Sequence, residues 1–354
     1  HPHPPMTRSL QVTTLLCLGL AAFALSGPRA RVADPPELAP PTVPAELAAL
    51  PAWLAAGEDT VPSLKRLARK EIVWADPEHP ARTPVALVYL HGYSATRVET
   101  APLADSVAAE LGANLFYTRL SGHGRDGAAM ADPSVGDWLE DVREALAVAR
   151  RLGERTVILG TSTGATLALW AAADAPERHD LAALVLISPN FAPADARSRV
   201  LLWPWGSTIA RLVNGAEYSW EPANDAQAAG WTTRYPTRAL PTMMALVDWV
   251  TQPERLARVQ VPTLTLYSPN DEVIDVAALR SGIDALGAPV RERIEITSST
   301  APSQHVIAGD ILSPTTTLEL ARHITEFVRR QLPEVRSLRA TDDAASPAPM
   351  PTRD

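Results

Sequence analysis

The sequence predicts an α/β fold, a mostly parallel, doubly wound sheet with an inserted helical cap. Three observations carry that prediction. Short apolar runs alternate with longer helical patterns through the middle of the chain, the pattern of parallel strands buried on both faces by crossover helices. One strand-like run ends in Gly160-Thr161-Ser162-Thr163-Gly164, and a helical run starts there. A tryptophan-rich segment from about Ala192 to Val250 interrupts the alternation.

The chain has 354 residues, 46% apolar and 20% charged, with a formal net charge of −8. That is enough material for one large domain with an insertion. With no Lys/Arg-rich run to track a phosphate backbone, nucleic acid is excluded as an expected partner. Residues 1–26 are read as a signal peptide: Arg8 follows Met6, an apolar run spans Leu10–Leu25, and Ala24 and Ser26 supply small residues before Gly27. About 16 residues is short for a spanning helix, which needs roughly 20. The expected location is therefore exported, periplasmic or secreted. The alternative is an uncleaved segment anchoring the protein, its one membrane contact. The single cysteine, Cys17, falls inside this run, so a processed chain has no thiol chemistry.

Residues 27–64 are rich in Pro and Ala and read as a linker and N-terminal wrap. Expected core strands are Ala86–Leu90, Asn114–Thr118, Val157–Leu159, Ala183–Ile187, Leu264–Tyr267 and Arg291–Ile296. Expected helices are Ala101–Leu111, Val135–Leu152, Thr163–Ala173, Val276–Leu286 and Thr315–Gln331. The core thus divides into 65–191 and 251–332 around a helical cap at 192–250. The cap holds Trp203, Trp205, Trp220, Trp231 and Trp249, five of the nine tryptophans. The tail 333–354 is polar and aperiodic and reads as disordered.

Gly-x-Ser-x-Gly arises from composition alone in roughly one chain in ten of this size, so context carries it. Here a strand precedes and a helix follows, a turn so sharp that only small residues fit at the glycine positions while the serine hydroxyl is exposed above the sheet. Ser162 is therefore the candidate nucleophile, and it needs a base. Of eight histidines, His305 lies in a loop after the last strand, at the carboxyl edge where Ser162 emerges. His323 falls inside a helix, and His123 reads as structural. The base needs a carboxylate to hold its tautomer. Asp271 comes first after the Leu264–Tyr267 strand. Its rival, Asp275, sits where it would cap the next helix, and Glu272 should point away. The N–H groups of Tyr93, after the strand-ending His91-Gly92, and of Thr163 are the expected oxyanion donors. No His/Asp/Glu cluster at ligand spacing and no glycine-rich phosphate cradle stand out, so neither metal nor cofactor is expected.

These motifs, His91-Gly92-Tyr93-Ser94, Gly122-His123-Gly124, the Gly160–Gly164 turn, Ser268-Pro269-Asn270-Asp271 and the His305 loop, resemble the α/β-hydrolase superfamily. The likeness is to its bacterial carboxylesterase and monoacylglycerol-lipase-like branch, sometimes grouped with serine aminopeptidases, and it covers about Val85 to Leu332. Ser121 stands where that branch commonly has arginine. The resemblance implies an oxyanion N–H from Tyr93 and a serine hydrolase of carboxylic esters, acting on a small-molecule ester through an acyl-enzyme. A peptidase or amidase on the same triad, or a non-catalytic binding protein on the scaffold, are the competing readings. Trp203, Trp205 and Trp231 are candidate substrate contacts, the alternative being that they pack the cap onto the body.

Overall fold

The computed structural model describes residues 8–34, 36–333 and 335. Strands β1 (Glu71–Val73), β2 (Thr83–Leu90), β3 (Asn114–Tyr117), β4 (Gly153–Thr161) and β5 (Leu181–Ile187) precede the cap. Strands β6 (Glu217–Ser219) and β7 (Arg234–Pro236) lie within it, and β8 (Thr263–Tyr267) and β9 (Arg291–Glu295) follow it. The main sheet runs β1-β3-β2-β4-β5-β8-β9. Its neighbours are parallel except at the β1 edge, where Glu71 opposes Tyr117 in an antiparallel pair. The predicted strands all appear within a few residues of their expected bounds. Strand β1 was not expected, because three residues at a sheet edge carry no readable periodicity.

The side-chain period of two splits each central strand between two apolar layers. In β2, Ala86, Val88 and Leu90 join Trp138 and Trp170, from helices Val135–Leu152 and Thr163–Asp174. Val85, Leu87 and Tyr89 join Leu103, Val107 and Phe327, from helices Leu103–Leu111 and Thr317–Gln331. Burial on both faces is why β2 shows no polar alternation. Each large aliphatic side chain so buried contributes roughly 1.5–3 kcal/mol.

Residues 27–34 and 36–64 run along the body as a strap. A proline-rich segment lacks the N–H groups for a ladder, and its carbonyls are met instead by arginines of helix Val135–Leu152. Arg143 Nη1 donates to the Leu38 and Ala39 carbonyls at 3.2 and 2.8 Å, and Arg151 Nε to Pro44 at 3.1 Å. The strap ends in helix Leu50–Asp59, which buries Leu50 and Leu54. Its Glu58 receives Arg119 Nη2 at 2.8 Å, both side chains under a tenth exposed.

The inserted segment contains helices Gly206–Asn214, Asp225–Gly230 and Leu240–Val250, but it is not wholly helical. β6 and β7 form a separate antiparallel pair with Tyr218 opposite Tyr235. Each strand is three residues long and finds its partner across the cap, so neither is legible locally. The segment Arg8–Leu25 forms a helix whose Phe23 ring stacks on Trp205 at 5.1 Å. Among the described residues no helix is long and apolar enough to cross a membrane. The start of the expected signal segment, residues 1–7, and the tail 333–354 apart from Pro333 and Val335 lie outside the described residues.

Candidate active site

Ser162 stands between β4 and helix Thr163–Asp174 with φ 53° and ψ −117°. A non-glycine residue in such a conformation costs on the order of 1–3 kcal/mol and persists only where its surroundings impose it. Here they do. The Ser162 N–H donates to the Ile187 carbonyl at 2.9 Å, and its own carbonyl accepts from Ala165 and Asn190 N–H at 3.0 and 3.2 Å. The flanking glycines allow the backbones to meet. A Cβ on Gly164 would stand 2.1 Å from the Leu90 carbonyl oxygen, and one on Gly160 would stand 2.7 Å from Ala165 Cα.

His305 lies in the loop after β9, with Nδ1 2.7 Å from Asp271 Oδ2. Asp271 Oδ1 accepts the N–H groups of Val273 at 2.8 Å and Ile274 at 3.1 Å, so the carboxylate is held from its own turn. The His305 carbonyl accepts the Ser188 hydroxyl at 2.7 Å. Asp275 instead accepts from Ala277 and Ala278 N–H and caps helix Val276–Asp284. Glu272 is exposed. His323 is on the final helix, 3.9 Å from Glu319. Ser162, Asp271 and His305 are 9%, 8% and 8% exposed.

Thr163 is the first residue of its helix, so its N–H has no acceptor within the helix. Tyr93 follows Gly92 at the end of β2. Its ring meets His123, Trp138 and Tyr235 edge-on at 5.5, 6.1 and 5.7 Å. Burial lowers the His91 pKa to about 4. Leu120 N–H donates to its Nε2 at 3.1 Å, and Nδ1 bonds the Gly92 carbonyl at 2.9 Å. Burial lowers His123 further, to about 3. Both rings are therefore neutral packing groups behind the site.

The three tryptophans separate. Trp203 is 61% exposed. Trp205 is turned to the N-terminal helix, donating from Nε1 to the Phe23 carbonyl at 3.2 Å. Trp231 alone is buried beside the site, in a cluster with Ala95 and with Val306, the neighbour of His305. Trp203 and Trp205 thus share no hydrophobic cluster with the neighbours of the triad, whereas Trp231 does. An insertion's sequence does not reveal which of its faces turns inward. Met243 of the cap instead lies close to the serine turn. It lies 3.5 Å from Nδ2 of Asn190, whose N–H bonds the Ser162 carbonyl, and it packs with Leu201, Leu202 and Leu240. Glu99 also escaped sequence reading. Its carboxyl accepts the Gly92 N–H at 2.7 Å from a turn that no motif marks. Among the described residues no group of three or more His, Cys, Asp or Glu side chains could hold a metal ion.

Known proteins share this architecture. The solved structure of a lipolytic enzyme from work on the metagenome-derived LipS and LipT aligns with a TM-score of 0.60 at 20% identity, over 75% of this chain and 99% of that one. A soluble variant of the Saccharomyces cerevisiae monoglyceride lipase aligns at 0.55 and 11% identity, over 75% and 92%. Likenesses at that identity speak for the fold. In sequence, a thermostable monoacylglycerol lipase from Bacillus sp. (strain H-257) is 29% identical over 103 residues, 29% of this chain and 41% of that lipase. The match thus spans less than half of the relative's length. The model of the family described as "Serine aminopeptidase, S33" matches residues 82–298, well over half of the chain. The sheet order, the strained serine turn and this match agree, and the chain belongs to the serine aminopeptidase S33 family of α/β hydrolases.

Proposed function

We propose that the protein is a serine hydrolase of carboxylic esters with short to medium acyl chains, monoacylglycerols among them. The observation that carries this reading is the 2.7 Å contact of His305 Nδ1 with Asp271, on the sheet edge where Ser162 is held in its strained turn. With Nδ1–H committed to Asp271, Nε2 carries the lone pair that accepts the Ser162 proton. Ser162 Oγ then attacks the ester carbonyl carbon, and the oxygen that gains charge is met by the Tyr93 and Thr163 N–H groups. Collapse expels the alcohol, which takes the proton from His305. A water, deprotonated by His305, attacks the acyl-enzyme and releases the acid. The apolar cluster of Leu201, Leu202, Leu240, Met243 and Met244 supports an acyl group as the part bound under the cap.

An aminopeptidase is the second reading, favoured by the family's description. It needs a carboxylate free to meet the substrate ammonium. Asp271 and Glu99, two carboxyl groups at the site, already accept protein hydrogen bonds and so are not free for that role. The test is turnover of p-nitrophenyl esters of graded chain length beside an aminoacyl anilide, with fluorophosphonate labelling of Ser162. Faster anilide than ester turnover would reverse the order, and absence of both turnover and labelling would leave a binding protein. We propose further that Leu10–Leu25 directs export. N-terminal sequencing of secreted protein should begin near Gly27, and a mature chain that retains residues 10–25 would instead support an anchor.

A further inference from the structure

A buried hydrogen-bond network joins the end of β2 to the serine turn, and the acyl-transfer steps above do not use it. Its centre is Glu99, 2% exposed, in the turn Arg97–Glu99. Oε1 accepts the Gly92 N–H at 2.7 Å and the Tyr89 hydroxyl at 2.9 Å. Tyr89 spends its one proton there. Its oxygen therefore accepts from Thr100 Oγ1 at 2.7 Å and from Thr161 Oγ1, which lies 3.0 Å away. Thr161 directly precedes Ser162. A Cβ placed on Gly92 would stand 3.0 Å from Glu99 Oε2 and 3.3 Å from Ser162 Cβ, so carboxyl and nucleophile both crowd Gly92.

A carboxyl group buried without a cation is costly, and an apolar side chain would fill the space more cheaply. What the carboxyl supplies is an acceptor for one particular N–H. Gly92 is the freest residue in the loop, and its torsions decide where the next N–H, that of Tyr93, points. We propose that Glu99 is a positioning residue for the oxyanion site: it fixes the Gly92 peptide and, through Tyr89 and Thr161, ties the strand end that aims the Tyr93 N–H to the turn that carries Ser162. The proposal rests on the reading of Ser162 and Tyr93 given above.

Charge state gives this role a signature. Burial raises the Glu99 pKa to about 8, against the lowering effect of the Gly92 and Tyr89 bonds. Tyr89 is the titratable side chain bonded to it. Arg97, in the same turn, pairs with Glu71 and lies over the Tyr117 ring. Arg66 and Asp225, on segments packed against that turn, are exposed. Glu99 is thus neutral at pH 7, which suits an adjacent oxyanion. Above pH about 8 it ionises and opposes the charge developing there.

The experiment compares wild type, Glu99→Gln and Glu99→Ala on a short-chain p-nitrophenyl ester from pH 6 to 9.5, recording kcat, KM, thermal melting and the rate of fluorophosphonate labelling. Folded Glu99→Ala should lose roughly 10- to 100-fold in kcat with KM within about twofold. Glu99→Gln keeps an oxygen acceptor and should stay within about threefold at pH 7, and it should lack the wild-type fall in kcat above pH about 8. Folded Glu99→Ala that labels and turns over within about twofold of wild type overturns the proposal alone. If Glu99→Ala does not fold, an alkaline fall in Glu99→Gln identical to wild type overturns it. Wild-type protein that neither labels at Ser162 nor turns over any ester overturns the underlying hydrolase reading instead.

Discussion

Asp271 Oδ2 and His305 Nδ1 lie 2.7 Å apart although 34 residues separate them in the chain. The Asp271 side chain is fully shielded from solvent and that of His305 is 10% exposed. Two N–H groups hold the other carboxylate oxygen, so the carboxylate cannot turn away and the imidazole tautomer is set by it.

Replacing that acceptor by a donor should be more damaging than its size suggests. Asp271→Asn presents an amide that can favour the wrong tautomer, and kcat/KM is expected to fall on the order of 10³- to 10⁴-fold, with Ser162→Ala losing as much. Asp275→Asn keeps a helix-capping side chain and should stay within about threefold. Ester kinetics on the folded variants check this. Swapped outcomes for the two aspartates would move the orienting role to Asp275.

Two buried imidazoles make stability depend on acid. The folded-state pKa values of His91 and His123 are lowered by burial to about 4 and about 3, from the ordinary 6.5. A neutral base so stabilised contributes fully above its unfolded value. That contribution is lost as pH falls from about 6.5 toward the folded values, because the unfolded chain then binds more protons. Each ring contributes a slope of about 1.4 kcal/mol per pH unit in that window. Denaturant unfolding between pH 7 and 4.5 measures it, and His123→Leu should shallow the slope by one proton whatever its stability at pH 7. An unchanged slope would show that His123 is protonated in the fold.

Gly164 should tolerate no side chain. The Ala Cβ would meet the Leu90 carbonyl oxygen at 2.1 Å, and neither the β2 end nor the helix start can retreat without moving Ser162. Gly164→Ala is expected to lose at least about 10²-fold in activity and to melt several degrees lower. Gly57→Ala, in a helix with no atom within 4 Å of its added methyl, should be neutral or stabilised by up to about 1 kcal/mol. Melting curves and ester turnover of the pair separate crowding from the general cost of replacing glycine.

Acyl-chain selectivity should follow the inward face of the cap. Met243→Ala and Trp231→Ala open space beside Asn190 and Val306, so kcat/KM should shift toward longer acyl chains, each added methylene being worth about 0.8 kcal/mol until the pocket fills. Trp203→Ala, at an exposed position, should leave the chain-length profile as it is. Identical profiles in all three folded variants would place the acyl group elsewhere.

Much of the fold was legible because its signals are local. Burial on both faces makes β2, β4, β5 and β8 short apolar runs, amphipathic periods mark the crossover helices, and the turn at Ser162 needs glycines within two residues on either side. The loop positions of Asp271 and His305 follow from chain order, since every parallel strand delivers its next loop to the same edge. Tertiary structure decided what depends on which surfaces meet. It set the three-residue pairings of β1 and of β6 with β7, turned Trp231 inward and left Trp203 in solvent, and brought the carbonyls of a proline-rich strap to Arg143 and Arg151. It also placed a glutamate seven residues beyond Gly92 against that residue's N–H. Such contacts join residues whose own sequence neighbourhoods carry no periodicity or turn chemistry, and the partner that satisfies a buried N–H is chosen only when the chain closes around it.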